Sequence, residues 1–191
     1  MARDRKINLV ILGLLSHENL TGYEIKKRID GAIGFFWKGS FGNIYPALSD
    51  MENAGLIEKA ENDKPSGREK TIYRITGSGR DTLKEWLATE ISANELKYET
   101  LLKVYFGGVT DKSVTLKNIE LFEEQARKNL AILSMYRDNL KNVLDEEHHL
   151  NYYLTVLFGI ESYTAQLKWC SSAKKLLKEV KWCYPVYKPL S

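Results

Sequence analysis

Between Ser40 and Thr76 the spacing of apolar residues changes period once, and that change restricts the fold more than any other feature of this chain. Ile44, Ala47, Leu48 and Met51 recur at three- and four-residue intervals, the mark of a helix with one apolar face, and Gly55 stops it. Ser40 is the expected N-cap, and Pro46 is tolerated because it falls in the first turns. After Gly55 the period becomes two, over Leu56 to Ala60 and again over Thr71 to Thr76, with Pro65-Ser66-Gly67 supplying the reversal. The expected unit is a short helix followed by a β-hairpin whose long tip carries Lys64, Arg68 and Lys70.

Upstream, Thr21-Gly22-Tyr23-Glu24 has the form of a capping box, and Leu20 with Ile25 adds the matching hydrophobic staple. A helix should start there, each such cap being worth about 1 kcal/mol. Before it, Ile7 to Leu15 is a nearly unbroken apolar run that fits a short helix buried under the other two. Helix, helix, helix, hairpin is the order of a winged helix-turn-helix. On the free side of the third helix lie Ser40, Asn43 and Tyr45, whose hydroxyls and amide reach base edges or phosphates when the helix N-terminus points at a duplex.

The same residues carry a family resemblance. Thr21-Gly22-Tyr23-Glu24-Ile25, Gly42-Asn43-Ile44-Tyr45-Pro46-Ala47-Leu48 and Glu52-Asn53-Ala54-Gly55-Leu56-Ile57 resemble the signature of PadR-type transcriptional regulators, in the right order and at the right distances. The Arg68-to-Tyr73 segment and Thr76-Gly77-Ser78-Gly79 extend the match through the wing and into the next helix. The resemblance spans residues 5 to 90, and the length of the chain is similar to the branch with a large helical C-terminal domain, the virulence-regulator type. It implies a dimeric, often ligand-responsive repressor, sometimes an activator. By the same resemblance Ser40, Asn43 and Tyr45 belong at the major groove, Lys64, Arg68 and Lys70 on the wing, and Tyr23 and Lys38 at flanking phosphates.

Charge alone would not point to DNA, since the formal net charge is only +3. Even the wing is balanced, with Glu61, Asp63 and Glu69 interleaved among its cations, so positive potential has to come from arrangement. The 43% hydrophobic content is ample for a folded core. No run approaches the roughly 20 apolar residues needed to cross a bilayer, and Arg3, Asp4, Arg5 and Lys6 precede too short an apolar run for a secretory signal. A cytoplasmic location is expected. Cys170 and Cys183 have no metal or redox spacing and are read as structural thiols.

Past Thr76, which can cap a helix through Asp81, Leu83, Trp86 and Leu87, a polar break at Ser92-Ala93-Asn94 marks the expected boundary between domains 1–92 and 93–191. Leu96 to Phe106 is amphipathic and stops at Gly107-Gly108, and Thr110 or Asp111 then opens a helical run to about His149. Within it Ile119, Ala126, Leu133 and Leu140 fall seven apart. Such a helix would be about 55 Å long, and a sustained seven-residue repeat wants a partner helix. Tyr153, Ile160 and Leu167 mark a face on the next run, so an antiparallel hairpin is expected, and both rows are assigned to dimerisation. The segment from Lys181 to Leu190, with Trp182, Tyr184 and Tyr187 among two prolines, cannot continue a helix and is read as packing along a surface or ending free.

Catalysis finds little support. His17 stands in a loop position, and adjacent His148 and His149 point about 100° apart on a helix, so with Glu146 and Glu147 they read as a solvated terminus sooner than a metal site. Gly107-Gly108 and Gly77-Ser78-Gly79 lack the context of phosphate-binding loops. No enzyme activity, metal or cofactor is expected. Trp86, on the helix leaving the wing, is either core packing or the wall of a pocket for a small aromatic effector. The overall expectation is a mainly α protein: a winged helix-turn-helix with a small β-hairpin, then a long-helix antiparallel hairpin for dimerisation. Its expected partners are a palindromic double-stranded operator, a second copy and a small aromatic ligand, with no membrane. The alternative is a winged-helix protein-interaction module that does not bind DNA.

Overall fold

The computed structural model describes residues 2–37, 44–60, 71–90, 97–145 and 148–180, with side chains from Lys6 onward. Its contacts divide the chain into two compact units, Met1–Asn94 and Glu95–Ser191.

In the N-terminal unit, α1 (Ala2–Leu15) supplies Ile7, Ile11, Leu12 and Leu15 to a core completed by α2 (Gly22–Asp30), α3 (Ile44–Asn53), a three-stranded sheet and α4 (Gly77–Leu87). The helix expected over the apolar run from Ile7 begins five residues earlier, at Ala2. Periodicity becomes burial directly: Ile44, Ala47, Leu48 and Met51 of α3 are all buried, as are Gly22, Ile25 and Ile29 of α2. The hairpin strands are β2 (Ile57–Ala60) and β3 (Ile72–Ile75), paired antiparallel with Ile57 opposite Ile75 and Glu58 opposite Arg74. A strand absent from the sequence reading, β1 (Leu20–Thr21), pairs with the other edge of β3, giving the order β1-β3-β2.

Local punctuation holds these pieces together. The Thr21 capping box is present: the Thr21 amide donates to Glu24 Oε2 at 2.8 Å, and the Glu24 amide to Thr21 Oγ1 at 3.3 Å. Gly55 sits at φ 68, the left-handed region only glycine occupies freely. Its amide donates to Glu52 O and that of Leu56 to Met51 O, the paired bonds of a Schellman motif. Thr76 then does two jobs: its hydroxyl donates to Gly55 O at 2.7 Å and accepts from the Gly79 amide at 3.1 Å, joining the end of α3 to the start of α4.

The C-terminal unit contains α5 (Glu99–Tyr105), a 3₁₀ turn (Gly107–Val109), α6 (Lys112–Leu140) and α7 (His149–Glu179). Lys112 Nζ donates to Leu177 O at 3.1 Å near one end, and at the other His149 Nδ1 meets Val143 O at 3.0 Å, so α6 and α7 form an antiparallel hairpin. The helical run expected to reach His149 stops at Leu140, because the chain must turn back before α7; α6 has 29 residues and spans about 43 Å. The first helix of this unit is likewise shorter than the Leu96-to-Phe106 span expected, starting at Glu99.

Ile119, Ala126 and Leu133 of α6 are buried, and so are Val156, Tyr163 and Cys170 of α7, again seven apart. Ile119, Ala126 and Leu133, expected at a dimer contact, lie buried in the seam within one chain, since a seven-residue row packs equally well on the chain's own next helix. Leu140, Tyr153, Ile160 and Leu167 are half-buried at its margins. Burial pushes the Cys170 thiol up, which keeps it protonated, and Cys183 lies outside the described residues. Tyr98, Phe122 and Trp169 stack edge to face at 5.7 and 6.0 Å across the hairpin. Among the described residues no helix is long and apolar enough to cross a membrane.

Glu123 is a charged member of this packing, with its side chain only 12% exposed between Lys174 of α7 and Arg127 of its own helix. Hydrogen bonding to Lys174, helped by Arg127, holds its carboxyl below the usual glutamate value of 4.5. A carboxylate stabilised this way contributes above the unfolded value and loses that contribution as pH falls through the folded one. Thermal melts should show Glu123→Gln less stable than the parent at pH 7, and with a shallower loss between pH 5 and pH 3. Parallel melting curves over that range would show the Lys174 pair to be inconsequential.

Candidate nucleic-acid interface

The first turns of α2 and α3 meet at Gly22. A Cβ there would lie 2.8 Å from Tyr45 Cε1 and 3.2 Å from Leu48 Cδ1, so the small residue lets the Tyr45 ring lie across the start of α2. Tyr45 still leaves 64% of its surface to solvent, and Tyr23, the next residue after Gly22, leaves 69%. The starts of α2 and α3 thus each present an exposed phenol above a buried core, an arrangement that apolar packing alone does not call for.

Two polar rows continue from them. On α3, Tyr45, Ser49 and Asn53 are exposed at four-residue spacing, opposite the face that holds Leu48 and Met51. On α2, Tyr23 and Lys27 share a face in the same way. Ser49, Asn53 and Lys27 were not singled out from sequence. Their signal was available as the polar complement of each helix's apolar period, extended one or two turns beyond the N-terminus.

Most cations of the described interface are paired. Arg28 meets Glu18 at 2.5 Å, Lys59 meets Glu52 at 2.9 Å and Arg74 meets Glu58 directly across the hairpin at 2.9 Å, while Lys26 pairs with Asp30. The Glu52 hydrogen bond and charge raise the Lys59 ammonium above its ordinary value. Exposed pairs of this kind contribute at most about 1 kcal/mol, yet they cancel the local field. Among the described ion pairs Lys27 takes no part. Lys38, Ser40, Asn43, Lys64, Arg68 and Lys70 lie outside the described residues.

Trp86 is half-buried and packs against the N-terminal core, with Lys6 Nζ 5.1 Å from its ring centroid. One face of the indole is thus engaged by a cation.

A three-helix core with an antiparallel hairpin and solvent-facing polar residues on its third helix defines a winged helix-turn-helix, here followed by a long helical hairpin. Comparison with known proteins narrows the class. The sequence model of the Transcriptional regulator PadR-like family matches residues 11–85, and that of the Virulence activator alpha C-term matches residues 96–178. The chain belongs to the PadR-like transcriptional regulators, in the branch with a large helical C-terminal domain. It is 27% identical over 176 residues to the Negative transcriptional regulator PadR of Bacillus subtilis (strain 168), covering 88% of this chain and 95% of that one. The PadR-like transcriptional regulator BC1756 from Bacillus cereus has a similar structure, with TM-score 0.75, 29% identity, and coverage of 90% of this chain and 97% of that chain. Bacillus subtilis PadR in complex with operator DNA superposes with TM-score 0.76 at 24% identity, covering 90% and 98% of the two chains, a likeness of fold. The same protein has been solved with p-coumaric acid, at TM-score 0.69 and 24% identity, covering 91% and 99%.

Proposed function

We propose that this chain is a homodimeric transcriptional repressor that reads a palindromic operator with α3 and is released by a small aromatic effector. The observation that carries the reading is the pair of exposed phenols at the α2–α3 junction, followed by the Ser49–Asn53 row, in a unit matched by the PadR-like family. On this reading Ser40, Asn43 and Tyr45 enter the major groove, Tyr23 and Lys38 meet flanking phosphates, and Lys64, Arg68 and Lys70 hold the wing on the backbone. The work is binding, not catalysis, and takes place in the cytoplasm with the DNA.

Dimerisation is supported by what the intrachain seam leaves uncovered. Leu121, Met135, Leu154 and Phe158 are each more than half exposed on helices whose inner face is already filled. Pairing also serves recognition, since two modules on half-sites about 34 Å apart bind more tightly and selectively than one. The relative solved with p-coumaric acid supports an aromatic effector here, for which Trp86 is the proposed contact.

The test is fluorescence anisotropy on duplexes from upstream of the chain's own coding region, across a salt series. Arg68→Ala should weaken binding to all duplexes and flatten the salt slope by about one unit, whereas Asn43→Ala should also relax base preference. A single subunit by sedimentation, with no preference among duplexes, would overturn the proposal; an unchanged salt slope in Arg68→Ala would remove the wing contact from it.

A further inference from the structure

The end of α7 is tied to the beginning of α6. Lys112 Nζ donates to Leu177 O at 3.1 Å and also to Val180 O, so one ammonium caps the last carbonyls of α7 and fixes where the chain leaves it. Within one turn of Lys112, about 5 Å along the axis, Val114 begins the wall of an open groove of about 490 Å³. Leu102 of α5 and Phe106 just after it form the facing wall. Thr115 closes the floor, its hydroxyl buried against Gly107 with no hydrogen-bond partner among the described residues, so what stays open is a surface channel.

This channel is apolar and wet. Leu102 and Phe106 are each more than half exposed, and Val114 nearly half. α5 is also the helix least well supported: it has seven residues, and none of them is buried. A helix so short is marginal by itself, and its outer face calls for a second cover.

Residues 181–190, which lie outside the described residues, follow directly from the Lys112 anchor. Trp182, Tyr184 and Val186 fall two apart, the period of an extended chain with one apolar face, and the prolines at 185 and 189 disfavour helix at Tyr184 and Lys188. Ten extended residues reach about 33 Å, some three times the length of α5. A segment tethered this close meets the channel at an effective concentration of order mM, which a second copy at μM does not match.

We propose that the channel is the docking site of the chain's own residues 181–190, with Trp182, Tyr184 and Val186 laid on Leu102, Phe106 and Val114. The segment then acts as a strap that covers α5 from outside. It lies beyond the region matched to the family, which ends at residue 178, and the proposal stands whether or not the operator reading does.

The test uses the full chain carrying Cys183→Ser and Tyr184→Cys, combined with either Asn118→Cys on the channel wall or Glu120→Cys. Residues two apart on a helix point about 160° apart, so these α6 positions are nearly equally far from Val180 along the axis but face opposite ways. Cys170 is buried, which leaves the introduced thiols to react with copper phenanthroline as oxidant. Relative to the unfolded chain, the 118–184 disulfide should form at least about tenfold faster than the 120–184 one, because the bond needs Cα atoms within about 7 Å. The product should migrate as a single subunit. Phe106→Ser, at an exposed position the fold tolerates, should slow the 118–184 bond about fivefold by removing apolar contact. Equal rates at 118 and 120, or a rate unchanged by Phe106→Ser, would overturn the proposal. So would two chains joined as the main product, because a second copy would then cover the channel.

Discussion

Replacing Gly79 with alanine will unfold the N-terminal unit under conditions where the parent chain is folded. A Cβ at this position would lie 2.1 Å from the Leu56 carbonyl oxygen, 2.9 Å from Ile75 Cγ1 and 3.1 Å from Leu12 Cδ2. The nearest of these is backbone, and it is tethered, because it already accepts from the Thr76 amide at 3.1 Å. No flexible side-chain end is available to swing aside. The expected loss is about 3 kcal/mol, the upper end of overpacking costs, which lowers the thermal midpoint of a unit this size by on the order of 15 °C. Gly13 is the internal contrast: it lies within α1 and nothing stands within 4 Å of its Cβ position. Gly13→Ala should therefore gain about 0.5–1 kcal/mol from reduced backbone freedom in the unfolded chain. Calorimetry on the two variants decides the matter, and equal midpoints would mean that α4 does not seat on the hairpin as described.

Leu133→Ala is expected to have a comparable effect on the C-terminal unit. Leu133 is 3% exposed, and truncating a leucine buried this deeply costs about 3 kcal/mol, with the spread set by how far the site collapses. Its partner across the seam is Gly159, where an added Cβ would approach Leu133 Cδ1 to 2.6 Å. Gly159→Ala should thus destabilise the parent by crowding, yet in the Leu133→Ala background its methyl enters vacated space. The double variant should be more stable than the sum of the singles by at least about 1 kcal/mol in denaturant melts. Additivity would show that the two positions do not touch.

What could be read without coordinates was local. The Thr21 capping box, the Thr76 cap and the Gly55 stop depend on residues three or four apart, and the buried face of α3 follows from one period. β1 was not legible, because Leu20 and Thr21 have no strand pattern of their own and become a strand only by pairing with Tyr73 and Ile72, some fifty positions away. The seam was half legible. A row at Ile119, Ala126 and Leu133 announces a partner, but the same spacing suits an intrachain helix and a second subunit, and only coordinates show these three buried within one chain. Site residues followed the same rule. Tyr23 and Tyr45 were assigned through their places in the motif, whereas Ser49, Asn53 and Lys27 follow from the polar complement of each helix's apolar period and were passed over. The orphaned Thr115 hydroxyl left no trace in the sequence, since an unmet bond is a property of surroundings.

Thr76 gives the N-terminal unit the equivalent of a hinge pin. One oxygen grips the tail of α3 and the head of α4 at once, so a torque applied to the outgoing helix is delivered to the far end of the rod that carries Tyr45. Swapping that hydroxyl for a methyl would release both grips at once, and only the Thr76 amide on the Leu56 carbonyl would still stitch the two segments at this point.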